Sequence, residues 1–322
     1  MRSWNAARSL AAPPCASPRK LAIMAKQIPV GIVGLGRMGA PLAQRLMQAK
    51  FPLMVWDTVA AARKPYEKMK TVRIATPGAM ARECAVIFFV VPSSKEIAVC
   101  LRDRDGVFAN ARKSLVLCDL TTSDPVATRK TARRAARYGI PYLDAGMSGG
   151  PAGILAGNLA LMVGGDAKVL SRVRRYLAPF AANIFHLGPS GSGHAMKLIN
   201  NMVLHTIFLA TCEGARLADR LGMRVADMIK VFNASTAYSY ASHHRFPNNI
   251  LNGTWNAQAR IYNLWKDVGI AVQLARKYGA DVTLADRTFA FIEKAVARGM
   301  VEQDLSLLYR DFEKIRKTRL KR

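Results

Sequence analysis

Three groups of residues in this chain have the types and the spacing to do chemistry. The first is Gly34-Leu35-Gly36-Arg37-Met38-Gly39, a Gly-x-Gly-x-x-Gly run at the end of the apolar stretch Pro29-Val30-Gly31-Ile32-Val33 and the start of a helical pattern. In that setting Gly34 permits a tight turn, Gly36 lets the backbone approach a pyrophosphate and Gly39 lets the helix lie close on the strand. The helix N-terminus adds unpaired N–H groups and the positive end of its dipole. Asp57, about 20 residues further on at the end of the next strand, is placed to accept hydrogen bonds from an adenosine ribose and to repel a 2′-phosphate. That favours NAD over NADP, although Arg63 and Lys64 follow closely enough to offset part of the repulsion. The second group is Ser148-Gly149-Gly150, followed by Pro151 and Gly153, a side-chain-poor loop suited to offer N–H groups and one hydroxyl to a carboxylate. The third is Lys197 with Asn201, four residues apart on a long helical pattern and so on one face. A lysine desolvated there falls from its ordinary pKa of about 10.4 and can take or return a proton, while Asn201 holds an oxygen in place.

The elements that must position these groups follow from periodicity. Strands are expected over residues 30–33, 53–56, 85–91, 115–118, 142–144, 159–163 and 184–187, with helices such as 41–49 and 125–138 between them. Alternation of apolar strands and amphipathic helices implies a parallel sheet covered on both faces. Beyond Gly193 the strand signal ends and helical periodicity continues to the C-terminus, with a break expected over residues 243–255, where Pro247, Asn248, Asn249 and Gly253 fall. The fold class is therefore α/β: an N-terminal Rossmann-type doubly wound sheet over residues 27–190, then an all-α C-terminal domain over 191–322. Residues 1–26, rich in Ala, Arg, Ser and Pro, have the composition of a mitochondrial transit peptide, and equally of a stretch preceding a later start at Met24. The compartment expected is the cytoplasm, or the mitochondrial matrix if that segment is a transit peptide.

Composition narrows the function classes. A hydrophobic fraction of 51% with 21% charged residues suits a globular protein, and no unbroken apolar run approaches the roughly 18 residues that span a bilayer. The five cysteines, Cys15, Cys84, Cys100, Cys118 and Cys212, lack the paired spacing of a zinc site or a disulfide framework. His194, His243 and His244 have no matching ligand set, so no metal is expected. The net charge of +27 raises the question of nucleic acid. The basic residues are spread through the helices rather than gathered in an aromatic-interleaved motif, so the charge reads as a solvated surface that draws in anions. The densest cluster, residues 314–322, reads as a frayed helix end.

The ordered motifs of the chain resemble those of the β-hydroxyacid dehydrogenase family, over about residue 28 to the C-terminus. They are the glycine run already quoted, Asp119-Leu-Thr121-Thr122-Ser-Asp-Pro125, Asp144-Ala-Gly-Met-Ser148-Gly149-Gly150, Gly191-Ser-Gly193-His-Ala-Met-Lys197-Leu-Ile-Asn200-Asn201, and Lys266-Asp267. The resemblance implies hydride transfer between NAD, with NADP possible, and a small 3-hydroxy acid or its semialdehyde. Lys197 would be the general acid or base, Asn201 would assist it and hold substrate, and Ser148, Gly149 and Gly150 would bind the substrate carboxylate. Lys266 would approach the nicotinamide end of the cofactor, with Val91, Pro92 and Thr122 at the carboxyl ends of their strands. It also implies a homodimer or homotetramer formed through the helical domain. Asp267 reads as a helix or packing partner. Departures from the family pattern are Thr121 for the usual serine, and Gly146 and Met147 where Pro and Val are usual. Met147, larger and more adaptable, is expected to reshape the pocket wall. The competing readings are a nucleic-acid binder on the same fold and an imine reductase; Lys197 speaks against both.

Overall fold

The computed structural model describes residues 28–102 and 106–320. The segment 1–26, with Cys15 and Met24, lies outside the described residues. Eight strands, β1 (Val30–Val33), β2 (Leu53–Trp56), β3 (Val72–Ile74), β4 (Val86–Phe89), β5 (Val116–Asp119), β6 (Tyr142–Ser148), β7 (Leu159–Gly164) and β8 (Ala181–His186), form one sheet in the order β3-β2-β1-β4-β5-β6-β7-β8. The order reverses between β1 and β4, and the cleft at their carboxyl ends is where such sheets bind ligands. In β4, Val86 and Phe88 enter the core on one face while Ile87 and Phe89 enter the core on the other. Burial on both faces explains why the strand is a continuous apolar run rather than an alternating one. β3 escapes sequence reading because it has three residues with Arg73 in the middle.

The sheet is not wholly parallel as expected: β7 runs antiparallel to β6, and β8 parallel to β7. The reason is the connector, residues 149–158. A parallel return needs a crossover of about a dozen residues or more, and this link is shorter, so the chain turns back.

Beyond β8, the helix Ser192–Arg220 starts against the sheet. Asp144, at the middle of β6, caps it: Oδ1 accepts from the Gly191 N–H at 2.7 Å and Oδ2 from the His194 N–H at 3.0 Å. Gly193 is required by the crossing, since a Cβ there would stand 2.2 Å from the Met162 carbonyl oxygen. This helix is long and apolar enough by composition to cross a membrane. It packs instead on β6, β7 and the helices Ile261–Lys277 and Thr283–Ala297, and it carries the buried polar residues His194, Lys197, Asn201 and His205, as a core helix does.

Two expectations for the helical half are corrected. The break expected over 243–255 is confined to 252–255, and the preceding segment Ala241–Leu251 is a wide π-type helix that contains Pro247. Proline cannot donate to the carbonyl five residues back, that of Ser242, and the Asn233 side-chain amide takes that place at 3.2 Å. The C-terminal cluster is not frayed over Phe312–Arg316, where Phe312 and Ile315 are buried. There Lys314 pairs with Asp311 and Arg316 with Glu313.

Candidate active site

The site begins at the glycine turn. Gly34 has φ +99°, and a Cβ on it would lie 2.2 Å from the Val90 carbonyl oxygen; a Cβ on Gly39 would lie 1.9 Å from the Gly34 carbonyl oxygen. Gly36 differs, because a Cβ there would meet nothing within 4 Å. Its freedom is needed for no contact inside the chain, and the open space above it leaves room for a phosphate group to approach the backbone. The helix Gly39–Gln48 starts with no side-chain cap, which leaves its first N–H groups available. Asp57 closes the turn from the next strand: Oδ2 accepts from the Leu35 N–H at 2.7 Å and Oδ1 from the Val59 N–H at 2.9 Å. Arg63 lies beside it, with Nη1 donating to the Asp57 carbonyl at 2.6 Å and the guanidinium 4.6 Å over the Trp56 ring. Arg37 is exposed beside Gly36, and Met38 packs into the core.

From this turn a series of contacts runs to Asn201, one helical turn from the lysine. The Cβ position of Gly34 is 3.3 Å from the Val91 side chain, and the Val91 N–H reaches Thr121 Oγ1 at 3.4 Å. Lys266, on the helix Ile261–Lys277, donates through Nζ to the Thr122 carbonyl at 2.8 Å and reaches the Pro92 carbonyl at 3.5 Å. One residue along, the buried Asp267 holds the Asn201 amide through Oδ2 at 2.7 Å. Its Oδ1 lies 3.3 Å from Lys266 Nζ and accepts no hydrogen bond among the described residues. Lys197 is one turn from Asn201 on the same helix face and 9% exposed. Burial pulls its pKa from 10.5 down to about 8, against the opposing pull of Asp267. That displacement is worth roughly 3 kcal/mol against the ammonium form, and it brings the amine into the range of a working base.

The stem of Lys197 rests on β6. A Cβ on Gly146 would come 2.5 Å from Lys197 Cβ and 3.0 Å from Cγ, so only glycine permits this approach. Two residues on, and so on the same face of the strand, comes Ser148, followed by Gly149 (φ +126°) and Gly150 (φ +64°). A Cβ on Gly150 would meet nothing within 4 Å, which leaves its backbone open. The expected role of Met147 is corrected: it points to the other face and packs into the core, so Gly146 is the replacement that faces the lysine. Sequence reasoning also undervalued Asp267. The available signal was a carboxylate on a helix face otherwise formed by Leu264, Val268 and Ala271, a place an acid occupies when it has partners. His194, considered for a metal, is spent on structure: Nδ1 pairs with Thr128 Oγ1 at 2.8 Å and Nε2 with the Asp119 carbonyl at 3.2 Å.

Compared with known proteins, residues 29–188 match the model of the NAD binding domain of 6-phosphogluconate dehydrogenase. Residues 191–312 match the NAD-binding domain of NADP-dependent 3-hydroxyisobutyrate dehydrogenase. A probable mitochondrial 3-hydroxyisobutyrate dehydrogenase of Dictyostelium discoideum is 31% identical, over 87% of this chain and 89% of that protein. The chain belongs to the β-hydroxyacid dehydrogenase family. The human mitochondrial 3-hydroxyisobutyrate dehydrogenase is 27% identical over 89% of this chain and 87% of its own. A solved structure of Mycobacterium tuberculosis 3-hydroxyisobutyrate dehydrogenase with L-serine superposes with a TM-score of 0.79 at 28% identity, covering 89% of this chain and 99% of that one. Membership makes the protein an NAD(P)-dependent oxidoreductase of the hydroxyacid dehydrogenase type. The open cradle at Gly36 and the carboxylate of Asp57 fit NAD, and Arg63 beside Asp57 leaves NADP possible.

Proposed function

We propose that this β-hydroxyacid dehydrogenase interconverts a small 3-hydroxy acid and its semialdehyde, with Lys197 as the general acid or base. The observation that carries the reading is the buried Lys197, lowered to about 8, one helical turn from an Asn201 held by Asp267. Gly34, Leu35, Gly36, Arg37, Met38, Gly39 and Asp57 would hold the adenosine and pyrophosphate end of the cofactor, and Val91, Pro92, Thr122 and Lys266 its nicotinamide end. Bound NAD(P) supplies or accepts the hydride. The N–H groups of the Ser148-Gly149-Gly150 loop hold the substrate carboxylate, and Asn201 donates to the hydroxyl oxygen. In oxidation, neutral Lys197 Nζ takes the hydroxyl proton as the carbonyl forms; in reduction, the ammonium returns it to the oxygen. Lys266 is fastened to the Thr122 carbonyl and so joins the helical half to the cofactor side of the cleft.

The working assembly in this reading is a homodimer or homotetramer formed through residues 191–322, with the sheet of residues 27–190 carrying the cofactor. The compartment is the cytoplasm, or the mitochondrial matrix if residues 1–26 act as a transit peptide; the human and Dictyostelium relatives carry "mitochondrial" in their names.

The test is a panel of small 3-hydroxy acids and semialdehydes assayed with NAD(H) and NADP(H), for the unmutated protein and for Lys197→Ala. Turnover is expected with at least one acid, and a drop of at least about 100-fold in the variant, with cofactor binding nearly unchanged. Wild-type rates in Lys197→Ala would overturn the assignment of the proton to this residue, and no turnover across the panel would overturn the substrate class.

A further inference from the structure

Cations that stand far apart in the sequence are gathered by the fold at one end of the sheet. β5 and β6 run parallel, with Leu117 opposite Tyr142, so the residues that lead into them, 112–114 and 137–141, lie at the same end. β7 runs antiparallel to β6, with Gly164 opposite Asp144, and so leaves the sheet at that end, just before Lys168. Arg172 closes the group, donating through Nη2 to the Ser114 carbonyl at 3.2 Å. This is the amino end of the parallel strands, opposite to the end where the glycine turn follows β1.

The group is left without counter-charges. Lys113, Arg133, Arg137, Lys168 and Arg172 are exposed, and none of them pairs with a carboxylate among the described residues. Asp166 is engaged as the cap of the helix Ala167–Leu177, accepting the N–H groups of Lys168 at 2.6 Å and Val169 at 3.2 Å. Glu83, whose carbonyl Arg112 reaches at 3.1 Å, is paired through its side chain with Arg73 at 2.5 Å. In the helical half, by contrast, Arg224 and Lys230 pair with Asp227, Arg260 with Glu302 and Arg276 with Asp286. The helix Pro125–Arg137 carries Arg129, Arg133 and Arg137 at four-residue steps and contains no acid. Like charges at that spacing destabilise a helix, and an anion that lies across them removes the cost.

We propose that this end of the sheet is a docking surface for the phosphate backbone of a nucleic acid, used in addition to the cofactor cleft and independent of it. Arg133, Arg137 and Arg172 bring planar forks that match phosphate oxygens, where a lysine offers a point charge. The cations are strung along a surface contributed by three separate segments, which suits a chain of phosphates better than one small anion. Over residues 112–114, 133–137 and 168–175 no large apolar side chain is exposed, so the surface lacks the apolar wedge with which basic helices enter a lipid interface. The same stretches expose no aromatic ring on which a base could stack, so the contact is with phosphates and does not read sequence.

The experiment is fluorescence anisotropy of short labelled RNA and DNA strands of unrelated sequences with the full chain at low and physiological salt, beside flotation with phosphatidylserine vesicles. Strand binding is expected at low salt, alike for all sequences and unchanged by NAD⁺. Arg133→Glu with Arg137→Glu is expected to weaken it at least about tenfold and to lower the salt slope by about one for each cation removed. Arg224→Glu with Lys230→Glu makes the same change of charge in the helical half and is expected to weaken it far less. If the first pair fails to fold, judged by its melting curve, Lys113→Glu with Lys168→Glu takes its place. Equal losses in the two pairs would show diffuse attraction by the whole chain and overturn the proposal. Displacement of the strand by NAD⁺, binding to vesicles without binding to strands, or no strand binding at low salt would overturn it as well.

Discussion

Lys197 sits where a cation is least favoured, and one carboxylate decides how far that goes. Burial lowers the amine and Asp267 raises it, with a result near 8. With Lys197 as the proposed base, oxidation needs the neutral amine, so kcat/KM in that direction is expected to rise with pH to a plateau above about 8, and in reduction to fall over the same range. Asp267→Asn removes the pull that raises Lys197, so the limb must move to lower pH, by roughly half a pH unit or more. Asparagine keeps an acceptor for the Asn201 amide, so the geometry survives the change. Profiles of kcat/KM for both proteins check this; a limb that stays in place or moves to higher pH would show that Asp267 does not act on the titrating group.

The crossing of the helix Ser192–Arg220 over β6 is the element-level contact on which the amine depends. Gly193 sits against the Met162 carbonyl and Gly146 against the Lys197 stem, so strand and helix meet at two glycines with no side chain between them. Gly146→Ala forces a Cβ to within 2.5 Å of Lys197 Cβ, and the helix or the lysine must shift. Such a shift is expected to lower kcat by about tenfold or more, since misplacement of about 1 Å costs up to 100-fold. Cofactor affinity should hold, because the glycine turn lies on β1. Met147→Val is the control on the opposite face, expected to reduce the melting temperature and to leave KM in place, since Met147 packs into the core. Unchanged kcat in Gly146→Ala would refute the crossing as the device that positions the lysine.

At the scale of the molecule, a chain of net charge +27 carries an uncharged seam on one of its helices. Along the helix Ser192–Arg220 the exposed residues Met196, Ile199, Val203 and Ile207 follow one another at three- and four-residue steps. That is the spacing at which helices pair, and in the proposed homodimer or homotetramer a second copy of the chain would offer the same seam in return. Val203→Glu places a charge on it and is expected to reduce the proposed assembly to monomers, read by sedimentation velocity; an unaltered sedimentation coefficient would rule out this face. The charge itself acts at longer range. Raising the ionic strength shortens the screening length to well below the roughly 8 Å of physiological salt, so kcat/KM for an anionic substrate should fall while kcat stays nearly constant. A salt-independent kcat/KM would deny the charge any part in capture.

The elements whose form depends on local geometry were readable from the order of amino acids alone. β1 and β2 stand where the apolar runs predicted, because strands buried on both faces leave an unmistakable pattern. The glycine turn was readable because a positive φ and a close backbone approach admit little else. That Lys197 and Asn201 leave one face of the helix follows from their spacing. Residues that matter through distant partners were not readable: Asp267 meets Asn201 across 66 positions, and Lys266 reaches Thr122 across 144. No periodicity records such meetings. The reversal of β7 and the choice of Gly146 over Met147 as the residue that faces the lysine likewise arise only when elements pack. Sequence spacing governs which face of an element a side chain leaves from, and tertiary structure decides what stands opposite it.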